Sequence, residues 1–347
     1  MKAAVLHRYD ELLSNSEWLV YEDVPDPTIE NKTDVIVRIG GAGVCRTDLH
    51  IIEGLWRKYF NVSLPYILGH ENAGWIEEIG SEVKGVEVGD PVIIHPGEIN
   101  SRYEACKEVR DTHTVDILLP GISANGGYAE FMRANERALI QLPLSIAPMD
   151  FAPLADAGLT AYNVAKKASR HLLPGQYVVI IGAGGLGHIG IQVFQALSAA
   201  EIIVTDISDM ALNLAKELGA HHTIKAGDNA VAEVLALTGG HGAEAVVDFV
   251  ADGDTVEKGL AMTRRTGFYY IVGYGGKLEI PTMDMIMSEK TIVGNLVGSY
   301  AELVELIVLA DRGLVTLTTQ EYPLSSANDA LHDLHDGKVF GRAVLIP

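Results

Sequence analysis

The chain has 347 residues, more than one hydrophobic core organises, because single cores stop growing at roughly 250–300 residues; two domains with a cleft are therefore expected. Hydrophobic residues make up 48% and charged residues 21%, which excludes a disordered chain and allows a large buried core. The 46 Asp and Glu against 26 Lys and Arg leave a formal charge of -20, which repels phosphate backbones and anionic lipid and so argues against nucleic acid and membrane surfaces as partners.

Two cysteines, Cys45 and Cys106, are too few for the disulfide framework of a secreted fold, so a thiol kept for metal or catalysis in a reducing compartment is the better reading. The N-terminal residues run into charge at Lys2 and Arg8 before an apolar signal segment develops. No stretch reaches the roughly 20 unbroken apolar residues of a membrane span. A soluble, cytoplasmic protein is expected. No internal repeat or low-complexity tract is present.

Up to about Pro153 the sequence is made of short β-like runs, such as residues 35–39 and 91–94, broken by Gly, Pro and Asn-Gly turn signals. This predicts a β-rich domain over 1–153. Compact apolar runs then alternate with helical stretches at 177–181, 202–205, 223–225, 245–250, 268–272 and 291–293. Short strands separated by helices imply right-handed crossovers and a doubly wound, Rossmann-type parallel sheet, placed at 154–295. After about Asn295 come one helical segment, 301–311, and a closing strand, 343–346, so 296–347 is expected to rejoin the first domain.

Gly182-Ala183-Gly184-Gly185-Leu186-Gly187 follows the run 177–181 directly and opens a helical stretch, 186–197. That is the context a dinucleotide fingerprint requires. Gly182 permits the tight turn, Gly184 lets a pyrophosphate approach the helix N-terminus, and Gly187 lets helix and strand pack closely. Asp206 ends the next strand, 24 positions after Gly182, close to the spacing expected of an acid on the ribose hydroxyls. It favours NAD over NADP, an effect that Lys216 or Lys225 would soften if they folded nearby. The bland alternative is a glycine turn without a nucleotide.

The polar chemistry of the first domain sits in Cys45-Arg46-Thr47-Asp48-Leu49-His50 and in Gly69-His70-Glu71. A thiolate and an imidazole are preferred zinc ligands, although Cys45 taken alone reads as a small buried hydrophobe and His70 as a hydrogen-bonded core residue. Together, these segments resemble the zinc-containing, medium-chain alcohol dehydrogenases, and the likeness runs nearly the whole chain. Gly69-His70-Glu71 with Gly74, Gly80 and Val83 resembles that family's zinc signature, and Cys45 to His50 its first-ligand segment.

The resemblance implies a GroES-like catalytic domain beside the Rossmann domain, one catalytic zinc and NAD. It makes Cys45, His70 and Asp156 the zinc ligands, with Asp156 where many members have Cys. Glu71 is then a carboxylate beside the metal and Asp48 an acceptor for His70. Thr47 and His50 form a proton relay, or His50 is simply a surface residue. Arg342 reaches the cofactor pyrophosphate, or makes a surface salt bridge. Trp56 lines the substrate pocket, or belongs to the core.

Many relatives hold a second, structural zinc with four cysteines in the stretch 95–120. Here Asn100, Tyr103 and Thr114 occupy the other ligand places beside Cys106, so no structural zinc is expected. A mixed site of Cys106, His95, His113 and a carboxylate is the alternative. The resemblance further implies a small alcohol or carbonyl substrate and a homo-oligomer, dimer or tetramer, with the edge strand near Thr291 as a subunit contact. A polyol or sugar dehydrogenase of the same family and a zinc-free enoyl or quinone reductase are the rival functions.

Overall fold

The computed structural model describes residues 1–60, 62–99 and 117–347. Asn100, Tyr103, Cys106, His113 and Thr114, on which the expectation about a structural zinc rests, lie outside the described residues. The chain divides into two compact units: Met1–Ala157 with Gly298–Val308 and Leu317–Pro347, and Gly158–Val297 with Leu309–Thr316. The expected tail, 296–347, is thus divided. Leu309–Thr316 goes with the second unit, where the Gln192 side chain donates to Thr316 O at 2.8 Å and accepts from Thr316 N at 2.9 Å.

The first unit is built on antiparallel strands. Its central pair, Asp34–Gly43 and Glu71–Ile79, lies inside a seven-stranded sheet. In that sheet Leu139–Gln141, Pro91–Ile94, Glu71–Ile79, Asp34–Gly43, Arg342–Ile346 and Thr319–Pro323 follow one another, and Phe131–Asn135 adds to Asp34–Gly43. The expected run at 35–39 continues through Gly40, Gly41 and Gly43, which sequence rules read as breakers. They are small for a packing reason: a Cβ on Gly40 would lie 2.7 Å from the Trp75 ring and one on Gly43 1.9 Å from Glu71 Oε2. A smaller sheet joins Val20–Asp23, Lys2–Leu6 and Tyr66–Ile67. Fully buried Leu6, Leu49, Ile52, Leu68 and Tyr128 fill the core between these layers, at about 1.5–3 kcal/mol for each large apolar side chain.

The second unit carries six parallel strands in the order His222–Lys225, Glu201–Asp206, Tyr177–Ile181, Ala243–Asp248, Thr263–Ile271, Thr291–Gly294. Numbered along the chain this is 3-2-1-4-5-6, the doubly wound order, with its switch point between Tyr177–Ile181 and Ala243–Asp248. Val179, Ile203, Val246 and Tyr269 are wholly buried in its core, as the continuous apolar runs require of strands covered on both faces. Thr263–Ile271 begins earlier than the expected 268, because Thr263 pairs with Ala243 across a register shift that apolar patterning does not signal. No helix among the described residues is long and apolar enough to cross a membrane.

Candidate metal centre and dinucleotide site

Cys45 stands between the strand Asp34–Gly43 and the helix Arg46–Ile52. His70 immediately precedes Glu71–Ile79, after Gly69 turns the chain at φ +96°. Asp156 caps the short 3-10 turn Ala152–Ala155. These three segments, far apart in sequence, bring ligand atoms of Cys45, His70, Glu71 and Asp156 within 4.8 Å of one another. Among the described residues no other group of three or more His, Cys, Asp and Glu does so.

The donor set fits zinc. Ligands at 2.0–2.3 Å in a tetrahedron stand roughly 3.3–3.8 Å apart, and His70 Nε2 lies 3.4 Å from Asp156 Oδ2. His70 is buried, and each ring nitrogen faces a carboxylate oxygen without forming a well-aligned hydrogen bond. On the far side of the ring Nδ1 faces Asp48 Oδ1 at 3.3 Å, the carboxylate–histidine pairing that orients a metal ligand. Burial works against a charge on His70, but the Asp48 and Asp156 carboxylates outweigh it and raise its pKa well above that of an ordinary histidine. A divalent cation reverses this preference and selects the neutral ring.

Asp48 is itself fully buried. Its Oδ2 accepts the Cys45 N–H at 2.8 Å and the Tyr128 hydroxyl at 2.7 Å, which leaves Oδ1 to His70. Sequence reasoning missed Tyr128, which is 80 positions from Asp48. The only local signal is the glycine pair before it, where a Cβ on Gly126 would lie 2.2 Å from Gly69 O.

Glu71 is fastened from two directions. Arg342 Nε donates to Oε2 at 2.9 Å, a second guanidinium nitrogen donates to Oε1, and the Ala157 N–H donates to Oε1 at 3.0 Å. The last bond ties the backbone next to Asp156 to the residue next to His70. Arg342 therefore has a partner inside the chain where the sequence reading expects a pyrophosphate or a surface acid. A buried carboxylate needs such a bidentate cation to remain charged, and Arg342 is only 3% exposed.

Thr47 and His50 are three residues apart on Arg46–Ile52, hence on one face of it, and both are half-buried. Trp56 stacks on Phe60 with ring centroids 5.8 Å apart, packs against the core, and lines a small crevice with Ile51, Arg57, Val62, Tyr66 and Ile122. His95, a member of the alternative mixed site, is buried with its two ring nitrogens on the backbone of Gly97 and Gly298.

In the second unit the glycine motif joins Tyr177–Ile181 to the helix Gly187–Leu197, with Leu186 as its N-cap. Gly182 has φ +89°, and a Cβ on Gly187 would lie 1.9 Å from Gly182 O, so neither position tolerates a side chain. Gly184 differs: it is exposed, and a Cβ there would meet nothing within 4 Å. The loop, including the half-buried Gly185, thus leaves open space at the position where a pyrophosphate needs bare backbone.

Asp206 Oδ2 accepts the Ala183 N–H and Oδ1 the Ser208 N–H, both at 2.7 Å, so the acid is held against the glycine loop. Lys225 stands opposite Asp206 in the strand register, whereas Lys216 lines a pocket with His221, His222 and Glu233, at the start of the strand that Lys225 ends. Asp248, unnoticed in the sequence, is fully buried beside this site. It accepts from Val250 N, Ala251 N and the Tyr269 hydroxyl, shaping the loop whose Val250 packs over Gly182.

Residues 31–144 match the family described as alcohol dehydrogenase GroES-like domain, and residues 185–312 that described as zinc-binding dehydrogenase. An NAD-dependent alcohol dehydrogenase of Sulfurisphaera tokodaii is 34% identical over 95% of this chain and 96% of its own. A D-arabinose 1-dehydrogenase (NADP(+)) of Saccharolobus solfataricus is 34% identical over 100% and 97%. The crystal structure of the alcohol dehydrogenase from the archaeon Aeropyrum pernix, 46% identical, superposes over the full length of both chains with a TM-score of 0.96.

Proposed function

The chain belongs to the zinc-containing, medium-chain alcohol dehydrogenases, and from that premise we propose that it transfers a hydride reversibly between a primary or secondary alcohol, or the matching carbonyl, and NAD. The observation that carries this reading is the convergence of the Cys45, His70 and Asp156 ligand atoms within 4.8 Å of one another, with Asp48 behind the His70 ring. Those three residues would hold the zinc. A zinc ion held there supplies Lewis acidity that brings loss of an alcohol proton into the neutral range. Glu71, tethered by Arg342, keeps a carboxylate beside the ligands, and Asp48 fixes the orientation of His70.

Thr47 and His50 pass the proton outward. A hydroxyl both accepts and donates, and an imidazole can take up and release a proton, so the order is Thr47 first and His50 last. On the second unit the bare backbone at Gly184 would receive the NAD pyrophosphate, with Gly182, Gly185, Leu186 and Gly187 forming the turn around it. The fixed Asp206 carboxylate would accept from the ribose hydroxyls. The sequence carries one cysteine outside the ligand set, so the account is of one catalytic zinc and no structural zinc.

A sugar substrate is the second reading, favoured by the full-length relative named for D-arabinose. Turnover with NAD on a simple secondary alcohol, set against D-arabinose and sorbitol, separates the two. The alcohol is expected to win, and strong preference for a sugar overturns that choice. The strand Thr291–Gly294 forms an edge of the six-stranded sheet, and Met283, Ile286 and Met287 are exposed on the neighbouring helix Thr282–Ser288. These features support a homo-oligomer, which light scattering showing only monomer would refute. The free thiol of Cys45 suits a cytoplasmic setting.

A further inference from the structure

Cofactor choice in the account above rests on Asp206, yet the same corner of the sheet holds a lysine. Lys225 ends the strand His222–Lys225 and is the register partner of Asp206, the last residue of Glu201–Asp206. The chain beyond it returns to the same place, since Ala226 N donates to Asp206 O at 2.8 Å. Asp206 itself is immobilised, with each carboxylate oxygen accepting a backbone N–H. The Lys225 ammonium is engaged elsewhere: its Nζ donates to Asp209 Oδ1 at 2.7 Å. Asp209 is the first residue of the helix Asp209–Glu217, three positions beyond Asp206.

We propose that Asp209 is a second determinant of cofactor selectivity, acting by occupying Lys225. The proposal rests on the NAD reading given above. NADP differs from NAD by a 2′-phosphate, and a phosphate set beside a fixed carboxylate is repelled unless a cation shares the corner. Lys225 is the cation that the sheet register delivers there. While Asp209 holds it, its charge is neutralised, and the corner presents the unopposed charge of Asp206. Without the Asp209 carboxylate, the ammonium on its flexible stem is released toward the position of a 2′-phosphate. Both side chains are largely exposed, 52% for Lys225 and 81% for Asp209, so the pair contributes little to folding and its removal leaves the fold intact.

The test is fluorescence titration of NADH and NADPH into the purified enzyme without substrate, for the parent chain, Asp209→Asn, and Asp209→Asn combined with Lys225→Ala. Asp209→Asn is expected to tighten NADPH binding about two- to fivefold, the effect of one exposed charge, with little change for NADH. The gain shrinks as salt rises, because exposed charges are screened beyond about 8 Å at physiological ionic strength, and it disappears in the double variant. An unchanged NADPH-to-NADH ratio overturns the proposal, as does a gain that survives loss of Lys225. Preference of the parent chain for NADPH would refute the NAD reading separately, and the shift on substitution would still decide the role of Asp209.

Discussion

Replacing Tyr128 by Phe tests the buried arrangement behind the candidate metal centre. The Tyr128 hydroxyl gives Asp48 one of the two hydrogen bonds on Oδ2, at 2.7 Å, in a place where neither residue meets solvent. Burial, together with the Asp48 charge, raises the hydroxyl pKa well above its usual value, so it remains a donor throughout the working range. The ring fills the space over Gly69, where a Cβ would lie 2.4 Å from Tyr128 Cδ1. Phe preserves that packing and removes only the hydrogen bond. A bond to a buried carboxylate is worth about 1.5–3 kcal/mol, and each kcal/mol moves the melting midpoint of a unit of this size by about 2–4 °C.

Loss of the anchor also frees the Asp48 carboxylate to turn, and with it the orientation of His70. Changes at such supporting residues weaken metal binding about 10- to 100-fold. The assay pairs a thermal melt of the metal-free protein with chelator competition for zinc. A lower midpoint with easier zinc loss is expected. A competition curve superimposable on that of the parent chain would refute the positioning role of Tyr128, whatever the melt shows.

Arg342→Met leaves Glu71 buried without its cation and is expected to cost about 3–5 kcal/mol; adding Glu71→Gln should restore part of the loss in the same thermal melt. Gly187→Ala forces a Cβ against Gly182 O and should lower the melting midpoint. Gly184→Ala meets nothing in the protein and should leave the midpoint alone while weakening NADH binding in a fluorescence titration. His50→Gln is expected to slow alcohol oxidation near neutral pH by up to about 100-fold, with partial rescue by added imidazole buffer; an unchanged rate would assign the proton to another route.

What the sequence made legible divides along physical lines. The parallel strands announced themselves because a strand buried on both faces must be apolar throughout: the run expected at 202–205 is the strand Glu201–Asp206, and that at 177–181 is Tyr177–Ile181. The candidate ligand cluster came from family resemblance, since nothing in local spacing brings Asp156 to His70; in the fold the Ala157–Glu71 bond ties their two segments together. What escaped were contacts between distant segments. Gly40 and Gly43 read as strand breakers, and only the positions of Trp75 and Glu71 show them to be strand residues cut down to make room. Arg342 carried a guanidinium suited to either phosphate or carboxylate, and the choice of Glu71 depends on register 271 residues away. Tyr128 gave only the glycine pair before it, and Asp248 gave no pattern, because a lone polar residue does not name its partner.

The most direct test of the central claim is the zinc content per chain of protein purified without added metal or chelator, measured alongside NAD-dependent oxidation of a secondary alcohol. The account predicts close to one zinc per chain, with activity that falls when Asp156→Ala removes the metal. Close to zero zinc in a protein that still binds NADH and turns over would contradict it, and close to two would overturn the single-site reading.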